Sequence, residues 1–185
     1  MQVLAGHLKG RLLKSPKGQT TRPTTGRVKK SLFDILSQDL DGAHFLDLFA
    51  GSGQMGIEAL SRGASYAAFV ESHRSAYQCI TMNIKTLQLS DKAQVFCLSV
   101  DRALKKLAQS GLCFDIIFLD PPYGQKLTHQ TLLALDSSSL FHPQTRIFLE
   151  ESSGFTPSHD LQNLKVTHER NYGDTSLFEL KQYGS

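Results

Sequence analysis

The segment Asp47-Leu48-Phe49-Ala50-Gly51-Ser52-Gly53-Gln54-Met55-Gly56 constrains the fold more than any other stretch of this chain. An apolar run, His44 to Phe49, leads into it with strand character. A helical pattern from about Gln54 to Arg62 leaves it and is stopped by Gly63. A second apolar run, Tyr66 to Glu71, follows. Strand, glycine turn, helix and strand within 28 residues make a βαβ unit, and such a unit requires a parallel pair with the helix packed across it.

The same alternation continues along the chain. Val28, Leu32, Ile35, Leu36 and Leu40 recur at helical spacing, so a helix is predicted over Gly26 to Asp39, with Thr24 or Thr25 as its cap. After the βαβ unit come a helix over Arg74–Leu87, a strand over Gln94–Leu98 and a short helix over Ala103–Gln109. A fourth strand ends at Asp120. A helix over Thr128–Asp136 leads to a fifth strand, Arg146–Glu150. Leu164–Arg170 and Ser176–Gln182 alternate as two further strands, joined by a turn at Asn171-Tyr172-Gly173-Asp174-Thr175. The expectation is an α/β fold with a mostly parallel seven-stranded sheet, helices on both faces and a C-terminal antiparallel hairpin. In such sheets ligands bind beyond the carboxyl ends of the strands. Three of those ends carry acids: Asp47, Glu71 and Asp120.

Asp120 opens a second informative segment, Asp120-Pro121-Pro122-Tyr123, after the apolar run Phe114-Asp115-Ile116-Ile117-Phe118-Leu119. Two prolines end a strand because they donate nothing to a ladder. The carboxylate and the following carbonyls become fixed acceptors, and Tyr123 places a flat ring beside them. That set suits a planar group bearing an amino function, such as a nucleobase. Taken alone the tetrapeptide reads equally well as a plain turn.

The glycine turn is the cofactor signal. Gly51, Gly53 and Gly56 satisfy G-x-G-x-x-G, and Glu71 follows Gly51 at the spacing of a ribose-binding acid. That spacing fits a nicotinamide dinucleotide and other adenosine cofactors alike. Asp47 separates them, because a carboxylate there repels a pyrophosphate and attracts a cation such as the ammonium or sulfonium of S-adenosylmethionine. Asp101 is placed either to accept from an adenine amino group or to cap the helix that follows it.

Charge divides the chain. Eight of its 20 basic residues fall before Phe33, with none of its 17 acids, although the net charge is only +3. This basic arm alternates Gly6, Gly10, Pro16, Gly18 and Pro23 with Leu8, Leu12 and Leu13, a pattern of short strands and turns. It points to a polyanion, whose phosphates bind Lys and Arg with release of counterions; the alternative is a solvated tail. Cys79, Cys97 and Cys113 form neither a metal pattern nor a disulfide framework, and are expected as reduced, core-facing thiols of a cytoplasmic protein. The histidines show no ligand spacing, so no metal is expected. No signal peptide or membrane-spanning run is visible.

The pairing of Asp47-x-Phe49-x-Gly51-x-Gly53 with Asp120-Pro121-Pro122-Tyr123 resembles class I S-adenosylmethionine-dependent methyltransferases acting on exocyclic amino groups. The arm pattern Gly6-x-x-x-Gly10-Arg11-x-Leu13-x-x-Pro16 followed by Thr21-Arg22-Pro23-Thr24-x-x-Arg27-Val28, the run Gly56 to Ala64 and Tyr172-Gly173-Asp174-Thr175 are similar to the RsmD family. The resemblance spans nearly the whole chain. It implies a Rossmann-like methyltransferase domain over 26–185 and a basic β extension over 1–25. It further implies methylation of guanine N2 in 16S ribosomal RNA, within an assembling small subunit. Asp120, Pro121, Pro122 and Tyr123 would carry catalysis. Asp47, Phe49, Gly51, Gly53, Glu71 and Asp101 would hold S-adenosylmethionine. Arg11, Arg22, Thr24, Arg27 and Lys29 would meet RNA, and the protein would act as a monomer. One departure is Lys30, where the family usually has Glu. Adenine-N6 methylation of DNA or RNA shares the Asp-Pro-Pro-Tyr chemistry and stays open. An NAD-dependent oxidoreductase and a noncatalytic RNA-binding protein are the other readings, the former disfavoured by Asp47 and the latter by the acids intact at the strand ends.

Overall fold

The computed structural model describes residues 1–16, 26–122, 125–157 and 160–184. Seven strands form one sheet in the order β3-β2-β1-β4-β5-β7-β6. They are β1 (His44–Asp47), β2 (Tyr66–Val70), β3 (Ala93–Phe96), β4 (Phe114–Leu119), β5 (Phe141–Ser152), β6 (Leu164–Tyr172) and β7 (Thr175–Gln182). The first five run parallel; β7 is antiparallel to β5 and to β6. The chain moves outward from β1 through β2 to β3, then returns to lay β4 against the other side of β1. The switch point therefore lies between β1 and β4, where a crevice opens at the strands' carboxyl ends.

Alternation along each strand divides the core into two layers. Phe45, Ile116, Phe118, Phe148 and Leu177 face one layer with helices α1 (Gly26–Ile35), α2 (Gln54–Ser61) and α3 (Arg74–Thr86). Leu46, Ile117, Leu119, Leu149 and Phe178 face the other, with α4 (Val100–Gln109) and α5 (Gln125–Asp136).

Several boundaries differ from the expected ones. Helix α1 stops at Ile35 rather than Asp39, because the chain tightens to three-residue bonds from Ser37 to Asp34 and Asp39 to Leu36. Strand β5 extends in both directions beyond Arg146–Glu150, since Phe141 pairs with Phe114 and Ser152 with Thr175. The hairpin turn is the two-residue Gly173-Asp174, with Tyr172 and Thr175 already paired. The thiols are free but do not face the core: Cys97 and Cys113 are exposed and Cys79 is partly so. The proposed caps Thr24 and Thr25 lie outside the described residues.

The basic arm is folded against the body. Gln2 bridges Leu12, and Val3 exchanges backbone bonds with Gly10 and Arg11. Val3 and Leu13 are buried in the α1–α2–α3 layer. The amides of Leu4 and Ala5 donate to the two carboxylate oxygens of Glu58 at 2.8 and 2.9 Å. The amide of Lys14 donates to Asn83 Oδ1 at 2.9 Å. Among the described residues no helix is long and apolar enough to cross a membrane.

Candidate active site

A cleft of about 740 Å³ opens at the carboxyl ends of the strands, across the switch point. Asp47, Phe49 and Gly51 line it from β1 and the glycine turn, Glu71 from β2, Asp101 from α4, and Asp120, Pro121 and Pro122 from the end of β4. Met1, Ser15 and Pro16 bring the arm to its rim.

The turn takes this shape for steric reasons. Gly51 has φ +52°, a left-handed conformation that costs a side-chain-bearing residue energy. Its amide donates to Glu71 Oε2 at 2.9 Å, while the backbone amide of His73 donates to Oε1 at 2.7 Å. Glu71 thus braces the loop and also presents its remaining lone pairs to the cleft. Gly53 is the N-cap of α2; it packs toward Ile80 and is absent from the cleft lining. Asp101 does not cap α4. Ser99 occupies that position, and Asp101 sits in the first turn, exposed on the cleft, where a carboxylate complements the helix dipole.

Asp47 is the most unusual group in the cleft. It is 1% exposed, and neither carboxylate oxygen has a hydrogen bond of ordinary geometry. Burial, then the charge of Asp120, push its pKa up to about 8; Glu71 adds to this, while the nearby amides of Gly56 and Phe49 favour the charge too weakly to offset it. An uncompensated buried carboxyl group facing a cleft matches a cation in a bound ligand. A pyrophosphate in the same place would meet Asp47, Asp120 and Glu71 together, which disfavours a nicotinamide dinucleotide.

The expected RNA contacts are distributed differently. Arg11 and Arg27 are exposed, on the arm and at the start of α1. Lys29 is not available to RNA. It is 2% exposed, and its Nζ lies 3.0 Å from Glu58 Oε2. Burial lowers the Lys29 pKa, with Glu58 acting against that. Burial also presses the Glu58 carboxyl upward, but the Leu4 amide, Lys29 and Arg62 together hold it below the usual carboxylate range. The charge of Lys29 is legible in the sequence, whereas its burial on Glu58 is not. Tyr123, Arg22 and Thr24 lie outside the described residues.

Sequence reasoning missed Glu150, Glu151 and Thr175, which line the far side of the cleft from β5 and β7. The signal available was Glu150-Glu151 at the end of an apolar strand, the same pattern that singled out Asp120.

Residues 1–181 match the family described as Conserved hypothetical protein 95. A Bacillus subtilis protein named "Putative rRNA methyltransferase YlbH" is 39% identical over 184 residues, covering all of both chains. Ribosomal RNA small subunit methyltransferase D of Escherichia coli is 35% identical over 150 residues, 81% of this chain and 74% of that one. The solved structure described as "Putative methyltransferase yhhF from Escherichia coli" has a TM-score of 0.85 and 30% identity, covering 100% of this chain and 99% of that one.

Proposed function

The chain belongs to the family described as Conserved hypothetical protein 95, the RsmD family, and from that premise we propose that it transfers a methyl group from S-adenosylmethionine to the exocyclic N2 of a guanine in 16S ribosomal RNA. The observation that carries this reading is the pair of carboxylates flanking the switch point. Asp47 is buried with no hydrogen bond of ordinary geometry among the described residues and suits the cofactor's cation, and Asp120 stands beside the Pro-Pro turn at the same cleft. The names of the relatives, one an rRNA methyltransferase and one a small-subunit rRNA methyltransferase, support the RNA substrate.

Bound in the cleft, S-adenosylmethionine supplies an electrophilic methyl group. The residues do the rest. Asp47, once ionised, holds the cation, with Gly51 allowing close backbone approach and Glu71 and Asp101 reaching the ribose and adenine. Phe49 packs beside them in the cleft.

Guanine N2 is a weak nucleophile because its lone pair is delocalised into the ring. Asp120 and the Pro121 carbonyl accept its two N–H bonds and so turn the lone pair out of conjugation. Tyr123 stacks on the base. Holding the amino group in line supplies most of the acceleration. Transfer would exchange the methyl group's bond to sulfur for one to N2, leaving a neutral thioether in the cleft; the nitrogen would then carry one proton too many, which Asp120 is placed to accept. The base must leave any stack to reach this depth, so an unpaired or flipped guanine is required. Arg11, Arg22, Thr24 and Arg27 hold the flanking backbone, a reading supported by the approach of Met1, Ser15 and Pro16 of the arm to the cleft rim.

The test is methyl transfer by the purified protein to small subunits from a strain lacking its gene, with mass spectrometry of the digested RNA. N2-methylguanosine is expected from wild type. Asp120→Ala should lose transfer while keeping cofactor affinity in calorimetry. N6-methyladenosine as the product would establish the adenine alternative, and near-wild-type turnover of Asp120→Ala would remove the proposed site.

A further inference from the structure

The cleft is lined by a further carboxylate, Glu150 of the neighbouring strand β5, as well as by Asp120. In the parallel pair β4–β5, Phe118 lies opposite Phe148 and Leu119 opposite Leu149. The phenylalanines face the α1–α2–α3 layer and the leucines the other. Glu150 returns to the phenylalanine face, and the same alternation carried one residue past the end of β4 points Asp120 to that face, on a neighbouring strand whose spacing is roughly 4.8 Å. On the other side of β5, Glu150 pairs with Leu177, whose side chain occupies the same layer.

Glu150 is buried and lines the cleft together with Asp120, Pro121 and Thr175. Its neighbour Glu151 is committed elsewhere: Thr128 Oγ1 donates to one oxygen at 2.7 Å and the Ser152 amide to the other at 2.8 Å. Asp120 and Glu150 each have a partner within the protein. A carboxylate offers about four lone-pair positions, so an internal partner and an incoming N–H can share it.

The chemistry of the base edge assigns this second carboxylate a task. Asp120 and the Pro121 carbonyl grip an exocyclic amino group, and adenine and guanine both present one. They differ at the adjacent ring atom. Guanine N1 carries a hydrogen, whereas adenine N1 carries a lone pair. We propose that Glu150 selects guanine by accepting its N1–H while Asp120 holds the amino group. Adenine in the same pose sets its N1 lone pair against the carboxylate. This proposal rests on the guanine-N2 reading and explains how the Asp-Pro-Pro-Tyr segment, which suits either base, becomes specific.

The test uses small subunits reconstituted from 16S RNA in which a ligated synthetic segment carries guanine or 2-aminopurine at the methylated position. 2-Aminopurine keeps the amino group and lacks N1–H. Wild type should prefer guanine by roughly 10⁴ to 10⁵ in kcat/KM, the scale for a hydrogen-bonding site confronted with an analogue lacking the group. Glu150→Gln, whose amide can accept from guanine or donate to 2-aminopurine, should shrink that preference to within about tenfold. Its S-adenosylmethionine affinity and thermal unfolding should stay near wild type. The analogue also lacks O6, but that loss is common to both enzymes, so the change in ratio reports Glu150. An unchanged ratio in Glu150→Gln overturns the proposal. Should that variant not fold, equal rates on the two bases by wild type overturn it as well. The guanine control separates the two levels of argument: no N2-methylation there by wild type removes the parent reading, and this one with it.

Discussion

Replacing Asp47 by Asn should stabilise the protein and weaken its cofactor binding together. The Asp47 pKa stands at about 8 in place of 3.8. Between those values the native state keeps a proton that the unfolded state has released. Stability is therefore lost as pH rises from 3.8 to 8, by about 1.4 kcal/mol per pH unit and roughly 6 kcal/mol over the whole window. Asp47 is 1% exposed, so solvent screens little of this. Asn cannot ionise and escapes the loss. At about 2–4 °C per kcal/mol for a domain of this size, the unfolding temperature of Asp47→Asn relative to wild type should climb by on the order of 10 °C between pH 4 and pH 8. Any fixed cost of burying the amide cancels from that trend. Calorimetric scans across the range measure it.

Binding should move the other way. A unit charge pair at about 4 Å with an effective dielectric constant near 20 is worth about 4 kcal/mol, so Asp47→Asn should lose at least about 10²-fold in S-adenosylmethionine affinity. Wild-type affinity should rise about tenfold per pH unit from 6 to 8, because the cation needs the ionised carboxylate. A stability difference that is flat with pH, or an affinity that Asn leaves unchanged, refutes the argument.

Other substitutions separate structural from binding charges. Arg27→Ala should reduce the salt dependence of RNA binding by about 0.7–0.9 in log–log slope if it holds one phosphate. Lys29→Ala should leave that slope alone and instead destabilise, by less than the roughly 3–5 kcal/mol of a fully uncompensated buried charge, since Glu58 would lose its 3.0 Å partner but keep Arg62 and the arm amides; a changed slope with unchanged stability would reverse the assignment. Gly6→Ala should loosen the arm, because φ is +80° and an added Cβ would sit 1.7 Å from the Ser61 carbonyl oxygen. Faster amide exchange at Leu4, Ala5 and His7 is expected, with α2 intact. Glu71→Ala should weaken cofactor binding through both the ribose and the Gly51 loop, and unaltered calorimetric affinity would reject both roles.

The elements were legible because their causes are local. Strand alternation, helical spacing and the Gly63 stop are written in consecutive residues, and all seven strands appear where the pattern placed them. The Asp-Pro-Pro and glycine-turn segments were legible for the same reason: a strand must end there, and a side chain at a strand end meets the crevice. Boundaries moved where a distant partner decided them. Phe141 joins β5 through its pairing with Phe114, 27 residues earlier, which no local pattern contains.

The sequence by itself determined the alternating fold class, the acids at strand ends and the chemical character of the cleft. Each follows from short-range sterics and the placement of charge along the chain. The tertiary structure alone decided that Lys29 is buried on Glu58, that the arm docks on α2 and α3, and that Glu150 shares the cleft with Asp120. It also decided that Asp47 holds its proton near neutral pH. These outcomes depend on burial and on strand register, which bring residues remote in sequence to within a few ångströms, where a low dielectric makes their charges interact strongly.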